Sequence, residues 1–160
     1  MDVTRASSRP RPVWWLVVLV AALALVGCQG RAEPAAKSGT GELRTDLDPL
    51  LQRFPVLGTP SGARWMSGTF GRADSPGPST YWIDAVVALS ATEVERVRSA
   101  YAPADEGRTP DVVEGLRGEL PGGPFLTGDA LDAAFHHERW HAVAFLDVNS
   151  AQLVIVATGT

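Results

Sequence analysis

The segment YWIDAVVAL, residues 81–89, decides the fold because its side chains alternate between two kinds of surface. The odd positions from Tyr81 to Leu89 are apolar throughout, whereas the even positions are mixed and include Asp84. Alternation with a period of two is typical of a strand with one face in the core. We therefore predict a central strand here and expect Asp84, its lone charge, to mark the solvent face.

Three more strands are predicted on either side of this one. Residues 62–70 have a moderate strand pattern, and the Pro- and Gly-containing loop 71–79 connects them to the central strand. Residues 153–158, LVIVAT, are mainly β-branched and apolar, and they follow the turn-forming segment 147–152. The natural hairpin partner of this last strand is the segment 140–146.

Short helices are predicted from capping residues and apolar stripes. They are residues 49–54, a helix from the capping box Ser90–Glu93 to Tyr101, one from Thr109 to about Gly118, and one from Thr127 to about His137. The order of elements predicts an α+β domain with a small antiparallel sheet of about four strands. We expect two or three short helices to pack on one face of that sheet.

The N-terminus has the organisation of an export signal. Arg5, Arg9 and Arg11 precede the uncharged apolar run 13–26, which is short for a membrane span. The sequence Leu-Val-Gly-Cys at residues 25–28 then places a small residue directly before cysteine. This order resembles the signal peptide and lipobox of bacterial lipoproteins.

The resemblance implies a lipid anchor on Cys28. In that family the cysteine is acylated after the signal, here residues 1–27, has been removed. More than one acyl chain gives stable anchoring, since one alone binds membranes only marginally. We therefore expect a lipidated cysteine and flexible tether at 28–44 and a single extracytoplasmic α+β domain at 45–160. The expected location is the outer side of the cell membrane.

Composition narrows the choice of partners. Without residues 1–27 the chain has 11 basic and 17 acidic side chains, a formal net charge of −6. Such a charge argues against nucleic acid as a partner. Cys28 is the only cysteine, so no intramolecular disulfide forms. The Ala-, Gly-, Arg- and Val-rich chain resembles small uncharacterised lipoproteins of actinobacteria, and this resemblance implies no activity.

A possible metal motif lies at residues 137–141, where His137, Glu138 and His141 match H-E-x-x-H. On a helix the two histidines share a face and bind one Zn²⁺, and the glutamate acts as general base. Asp147 then falls at the third-ligand position of a metzincin-like pattern. However, Ala144 replaces the glycine of that pattern, and no methionine follows.

The predicted hairpin opposes this zinc interpretation. On a strand, His137 and His141 lie about 13 Å apart and cannot share one ion. We therefore expect a non-catalytic binding or envelope-associated protein without a cofactor. The alternative is a secreted zinc-dependent hydrolase that uses these residues.

Aromatic residues offer a different kind of site. Trp65, Trp82 and Trp140 all lie on predicted strands, where core packing is the usual role of tryptophan. If the three shared one exposed face, they would form a platform for a sugar or peptide.

Overall fold

A seven-stranded antiparallel sheet is the main element of the computed structural model, which describes residues 36–38, 41–70 and 79–160. The strands are β1 (Lys37–Ser38), β2 (Gly62–Phe70), β3 (Tyr81–Ala88), β4 (Ala104–Asp105), β5 (Leu126–Thr127), β6 (Trp140–Asp147) and β7 (Gln152–Gly159). Their spatial order is β1-β2-β3-β7-β6-β5-β4. The two long hairpins are β2–β3 and β6–β7, and their second strands, β3 and β7, pair with each other at the centre of the sheet.

Helices connect the strands and lie outside the sheet. The three α-helices in the described residues are α1 (Asp48–Arg53), α2 (Ala91–Tyr101) and α3 (Asp129–Ala134), and two 3-10 helices span Pro55–Leu57 and Glu114–Glu119. The predicted capping box at α2 is confirmed, because the Ser90 hydroxyl accepts the Glu93 N–H at 3.2 Å. No helix of the described residues is both long and apolar enough to cross a membrane.

The four long strands confirm the strand predictions from the sequence. Residues 62–70 and 81–88 pair as β2 and β3, and the predicted C-terminal hairpin forms between β6 and β7. At the end of that hairpin, Asp147 accepts the N–H groups of Asn149 and Ser150, at 2.8 and 3.2 Å. The turn therefore has its own side-chain cap, as the polar segment 147–152 indicates.

Apolar residues cover both faces of the sheet. On the helical face, Ala85 and Ile155 belong to a core that includes buried side chains of all three α-helices. On the opposite face, which we call the loop face, Trp82 and Val154 pack with Leu116 of the second 3-10 helix and its neighbours. The alternation seen in residues 81–89 is therefore real, but both of its sides are buried.

The predicted fold class is wrong in the number of strands and in the covering of the sheet. Three two-residue strands, β1, β4 and β5, extend the expected four-stranded sheet to seven strands. Segments this short are too brief to show an alternating pattern in the sequence. We expected helices to cover one face only. The loop face is covered as well, by a segment without regular structure and by the second 3-10 helix.

Two helix predictions were wrong: one segment is not an α-helix, and the other α-helix is shorter than predicted. The segment 109–118 is not an α-helix; it has no regular secondary structure up to Val113 and then forms the 3-10 helix. The last α-helix ends at Ala134, and Thr127, its predicted cap, is a buried residue of β5. The Thr127 hydroxyl donates instead to the Glu106 carboxylate at 2.8 Å.

Ordered contacts also begin within residues 28–44, which were predicted to be a flexible tether. Lys37 and Ser38 pair with Phe70 and Thr69 at the edge of the sheet. Arg44 exchanges both backbone hydrogen bonds with Trp65, each at 2.9 Å. Cys28 and the predicted signal peptide lie outside the described residues.

Candidate functional site

A cleft of about 420 Å³ opens on the helical face, between α1 and the sheet. Its volume lies within the usual range for small-molecule sites, roughly 300–1,000 Å³. The lining is mainly apolar and aromatic, with two arginines and no acidic side chain; it consists of Arg44, Pro49, Leu50, Arg53, Trp65, Ser67, Gly68, Thr69, Tyr81, Trp82, Ile83 and Trp140. We call this feature the Arg–Trp cleft.

Two tryptophans on separate strands meet at this cleft. Trp65 of β2 and Trp140 of β6 both point to the helical face, and both are buried. The Trp65 indole N–H donates to the Asp46 carbonyl at 2.9 Å, so the ring is held in a fixed orientation. Trp140 packs edge-on against Phe54, with the ring centroids 6.4 Å apart.

Gly159 makes the position of Trp140 possible. A Cβ at this residue would lie 2.6 Å from two carbon atoms of the Trp140 indole. Only a residue without a side chain therefore allows the ring to come this close to β7.

The guanidinium group of an arginine lies over each of these two tryptophan rings. The Arg44 Cζ lies 4.1 Å from the Trp65 ring centroid, and the Arg53 Cζ lies 4.7 Å from that of Trp140. Cation–π contacts at these distances orient the planar guanidinium, and they leave its N–H edge free for hydrogen bonds.

The two arginines differ in what meets that edge. Arg44 makes a two-pronged contact with the Asp46 carboxylate, including an Nε to Oδ1 distance of 3.0 Å. This hydrogen bonding holds the pKa of Asp46 below its usual value. The Arg53 side chain has no hydrogen bond or ion pair with any residue that the structure describes. It is exposed, so its charge remains hydrated.

The predicted tryptophan platform is only partly present. Trp65 and Trp140 converge on the cleft, but the Trp82 side chain belongs to the loop face and is fully buried. Its indole N–H is shared between the carbonyls of Ser38 and Thr69, both at 3.1 Å. Tyr81, which is 46% exposed, is an aromatic side chain on the cleft that the tryptophan pattern did not include.

The H-E-x-x-H match does not form a helix. The α-helix ends before it, and His137 and Trp140 exchange backbone hydrogen bonds of 3.2 and 2.8 Å across a tight turn. Glu138 lies in that turn with φ 52°, a left-handed conformation, and His141 is already in β6. The zinc alternative requires His137 and His141 to lie one turn apart on the same side of an α-helix, and the structure has no helix at these residues.

The other proposed ligand is remote from these histidines. Asp147 lies at the far end of β6 from His141, about 20 Å away along an extended strand. Its carboxylate is buried and also accepts the Gly123 N–H at 3.1 Å, in addition to the turn hydrogen bonds. Within the described ranges, no group of three or more His, Cys, Asp or Glu residues is arranged to hold a metal ion.

A buried ion pair on the loop face was missed by sequence reasoning. Asp84 is fully buried, and its carboxylate accepts Lys37 Nζ at 2.6 and 2.8 Å and the Val113 N–H at 2.7 Å. The prediction that Asp84 marks the solvent face was wrong. Burial raises the pKa of Asp84 even though Lys37 and the hydrogen bonds oppose that shift.

Comparison with protein-family models, curated proteins and solved structures found no match to this chain. The candidate site therefore depends on its own geometry.

Proposed function

We propose that this protein is a membrane-anchored lipoprotein that binds a small ligand in the Arg–Trp cleft, without catalysing a reaction. The lipid on Cys28 keeps the domain at the extracytoplasmic face of the cell membrane. The cleft then holds a ligand that reaches the envelope from outside or from the bilayer surface.

The observation that carries the binding proposal is the combination of a sizeable cleft with aromatic walls and oriented cations. Apolar walls supply affinity through buried area, and a few fixed polar groups supply orientation. The arginines are stacked before any ligand arrives, so little side-chain freedom is lost on binding. The buried carboxylates Asp84 and Asp147 are both occupied by internal hydrogen bonds, which favours binding over acid–base chemistry.

The anchoring proposal is supported by the sequence at residues 25–28 and by the apolar run before it. A Cys28→Ser variant removes the acylated thiol. We expect it to lose the acyl modification by mass spectrometry and to leave the membrane fraction. Membrane retention of this variant after removal of the signal would contradict the anchor.

Ligand binding is tested with a naphthalene probe on the full chain in lipid nanodiscs, with empty nanodiscs as the blank. The probe is 2-naphthoate, and binding is measured by isothermal titration calorimetry. A Ser67→Trp variant places an indole in the cleft and should abolish the signal. The matched control Ser99→Trp changes an exposed residue of α2 and should bind as the wild type does.

A second variant guards against misfolding of Ser67→Trp. Tyr81→Ala shortens an exposed side chain of the cleft and should weaken probe binding about threefold while the melting temperature is kept. If both Ser67→Trp and Tyr81→Ala bind 2-naphthoate as well as the wild type does, the cleft is not the ligand site.

A further inference from the structure

We infer that Arg53 is the anion-binding group of the cleft, and that the ligand is a small molecule with an apolar body and a single carboxylate. This inference depends on the proposed function, since it names the ligand class of the same cleft.

The molecule contains its own reference for such an interaction. The Arg44 guanidinium lies over the Trp65 ring, and its N–H edge is bound by the carboxylate of Asp46. The pair shows how a guanidinium that is stacked on an indole in this cleft presents two parallel donors to two carboxylate oxygens.

Arg53 also lies over a tryptophan, but it has no carboxylate partner among the described residues. Arg53 is the last residue of α1, and its guanidinium lies over the Trp140 ring, with Cζ 4.7 Å from the ring centroid. No carboxylate of the described residues meets its edge, and the lining of the cleft contains no acidic side chain. A ligand carboxylate at this position would complete the arrangement that Asp46 completes for Arg44.

Charge also favours a single negative group. Asp46 already neutralises Arg44, so the cleft offers one uncompensated guanidinium. One planar fork matches the two oxygens of a carboxylate, whereas a doubly charged phosphate would need a second cation. The chain as a whole has a formal net charge of −4, so an unpaired cation beside an apolar cleft is a favourable position for an anion.

The apolar body of the ligand has a place beside this group. Leu50, Ile83 and Tyr81 line the same cleft as Arg53, and its volume of about 420 Å³ exceeds what a bicyclic ring requires. A carboxylate on Arg53 and a ring against these side chains would use the polar and apolar parts of the lining together.

Three probes with one naphthalene body test the inference. They are 2-naphthoate, which is negative, 2-naphthamide, which is neutral, and 2-naphthylmethylammonium, which is positive. With the wild-type full chain in nanodiscs, we expect 2-naphthoate to bind about tenfold more tightly than the amide, as suits one charge-assisted contact. The ammonium probe should bind more weakly than the amide.

The deciding variant is Arg53→Gln, which should reduce the naphthoate-to-naphthamide affinity ratio to near one. The double variant Arg44→Gln with Asp46→Asn removes the reference stack together with its carboxylate, and it should keep the ratio. Arg98→Gln, which alters a distant arginine on α2, should keep it as well. Thermal unfolding of each variant shows whether it is folded.

The outcomes separate this inference from the function beneath it. If Arg53→Gln keeps the tenfold preference, or if the double variant loses it instead, Arg53 is not the anion-binding group. Equal wild-type binding of all three probes would overturn the ligand class while leaving the cleft as a binding site. Absence of binding by every probe would reject the proposed function itself.

Discussion

Lys37 on the loop face and Arg53 on the helical face each lie over a tryptophan, but only Lys37 is paired with a buried carboxylate. On the loop face, Lys37 lies 5.7 Å from the Trp82 ring centroid and is paired with the buried Asp84. On the helical face, Arg53 lies over Trp140 with no carboxylate beside it among the described residues.

The difference follows from solvent access. Asp84 has no contact with water, and an ionised carboxylate in the interior must be paired because its desolvation is costly. Arg53 is exposed, so water compensates its charge. A charge pair inside the protein therefore serves the fold, whereas an unpaired cation at a cleft is available for recognition.

The largest expected effect concerns the ion pair between Lys37 and the buried Asp84. Lys37→Met should reduce the free energy of unfolding by about 3 kcal/mol at neutral pH, because it leaves a buried carboxylate without a counter-ion. Urea unfolding of the full chain measures the loss. Adding Asp84→Asn to Lys37→Met should recover at least half of it, and equal loss in the single and double variants would show that Lys37 contributes by packing alone.

A smaller loss is expected where the strand supports the open cleft. Gly159→Ala brings a Cβ into the Trp140 indole and should cost about 2 kcal/mol by forcing the ring to shift. It should also lower the affinity for 2-naphthoate, because Arg53 stacks on that ring. Gly62→Ala is the matched control in β2, where a Cβ meets no atom within 4 Å, and both properties should stay close to wild type.

The raised pKa of Asp84 predicts a pH dependence on the loop face. Between the ordinary Asp pKa of 3.8 and the raised value, the native state binds more protons than the unfolded state. This carboxyl group therefore contributes most stability below pH 3.8, and the contribution is lost as pH rises through the raised pKa. The free energy of unfolding of the wild type minus that of Asp84→Asn, measured from pH 3 to 7, should fall as the pH rises. A rise of this quantity with pH would contradict the burial argument.

The smallest expected effect sharpens the helical face. Asp46→Asn frees the edge of Arg44 and should increase the affinity for 2-naphthoate by about twofold, since an exposed ion pair is weak. Calorimetry with the three naphthalene probes measures it, and 2-naphthamide should show no such gain. An unchanged affinity for the acid would mean that Arg44 cannot reach a ligand.

Elements with a clear local pattern were predictable. Residues 81–88 alternate with period two, the segment 153–158 is rich in β-branched residues, and the Ser90 capping box opens α2; each was found where the pattern placed it. The two-residue strand Leu126–Thr127 was not predicted, because pairing with β6, and no sequence periodicity, makes it a strand.

The candidate site was less predictable than the strands. The alternation of residues 81–89 correctly separates Trp82 from the helical face, but it cannot show that Trp65 and Trp140 converge. Arg53 had no visible signal, because an arginine at the end of a short helix is common. The H-E-x-x-H match was conspicuous, yet its residues lie in a turn and a strand.

By itself, the sequence determined the four long strands and the best-capped helix, and it contains the lipobox-like segment on which the anchoring proposal depends. These features are local, since each depends on neighbouring side chains and their periodicity. Only the tertiary structure decided that Asp84 is buried with Lys37, 47 residues away, and that Arg53 stays unpaired over Trp140. The partner of a charge and the neighbours of a ring depend on strand order and chain packing, which no single segment encodes.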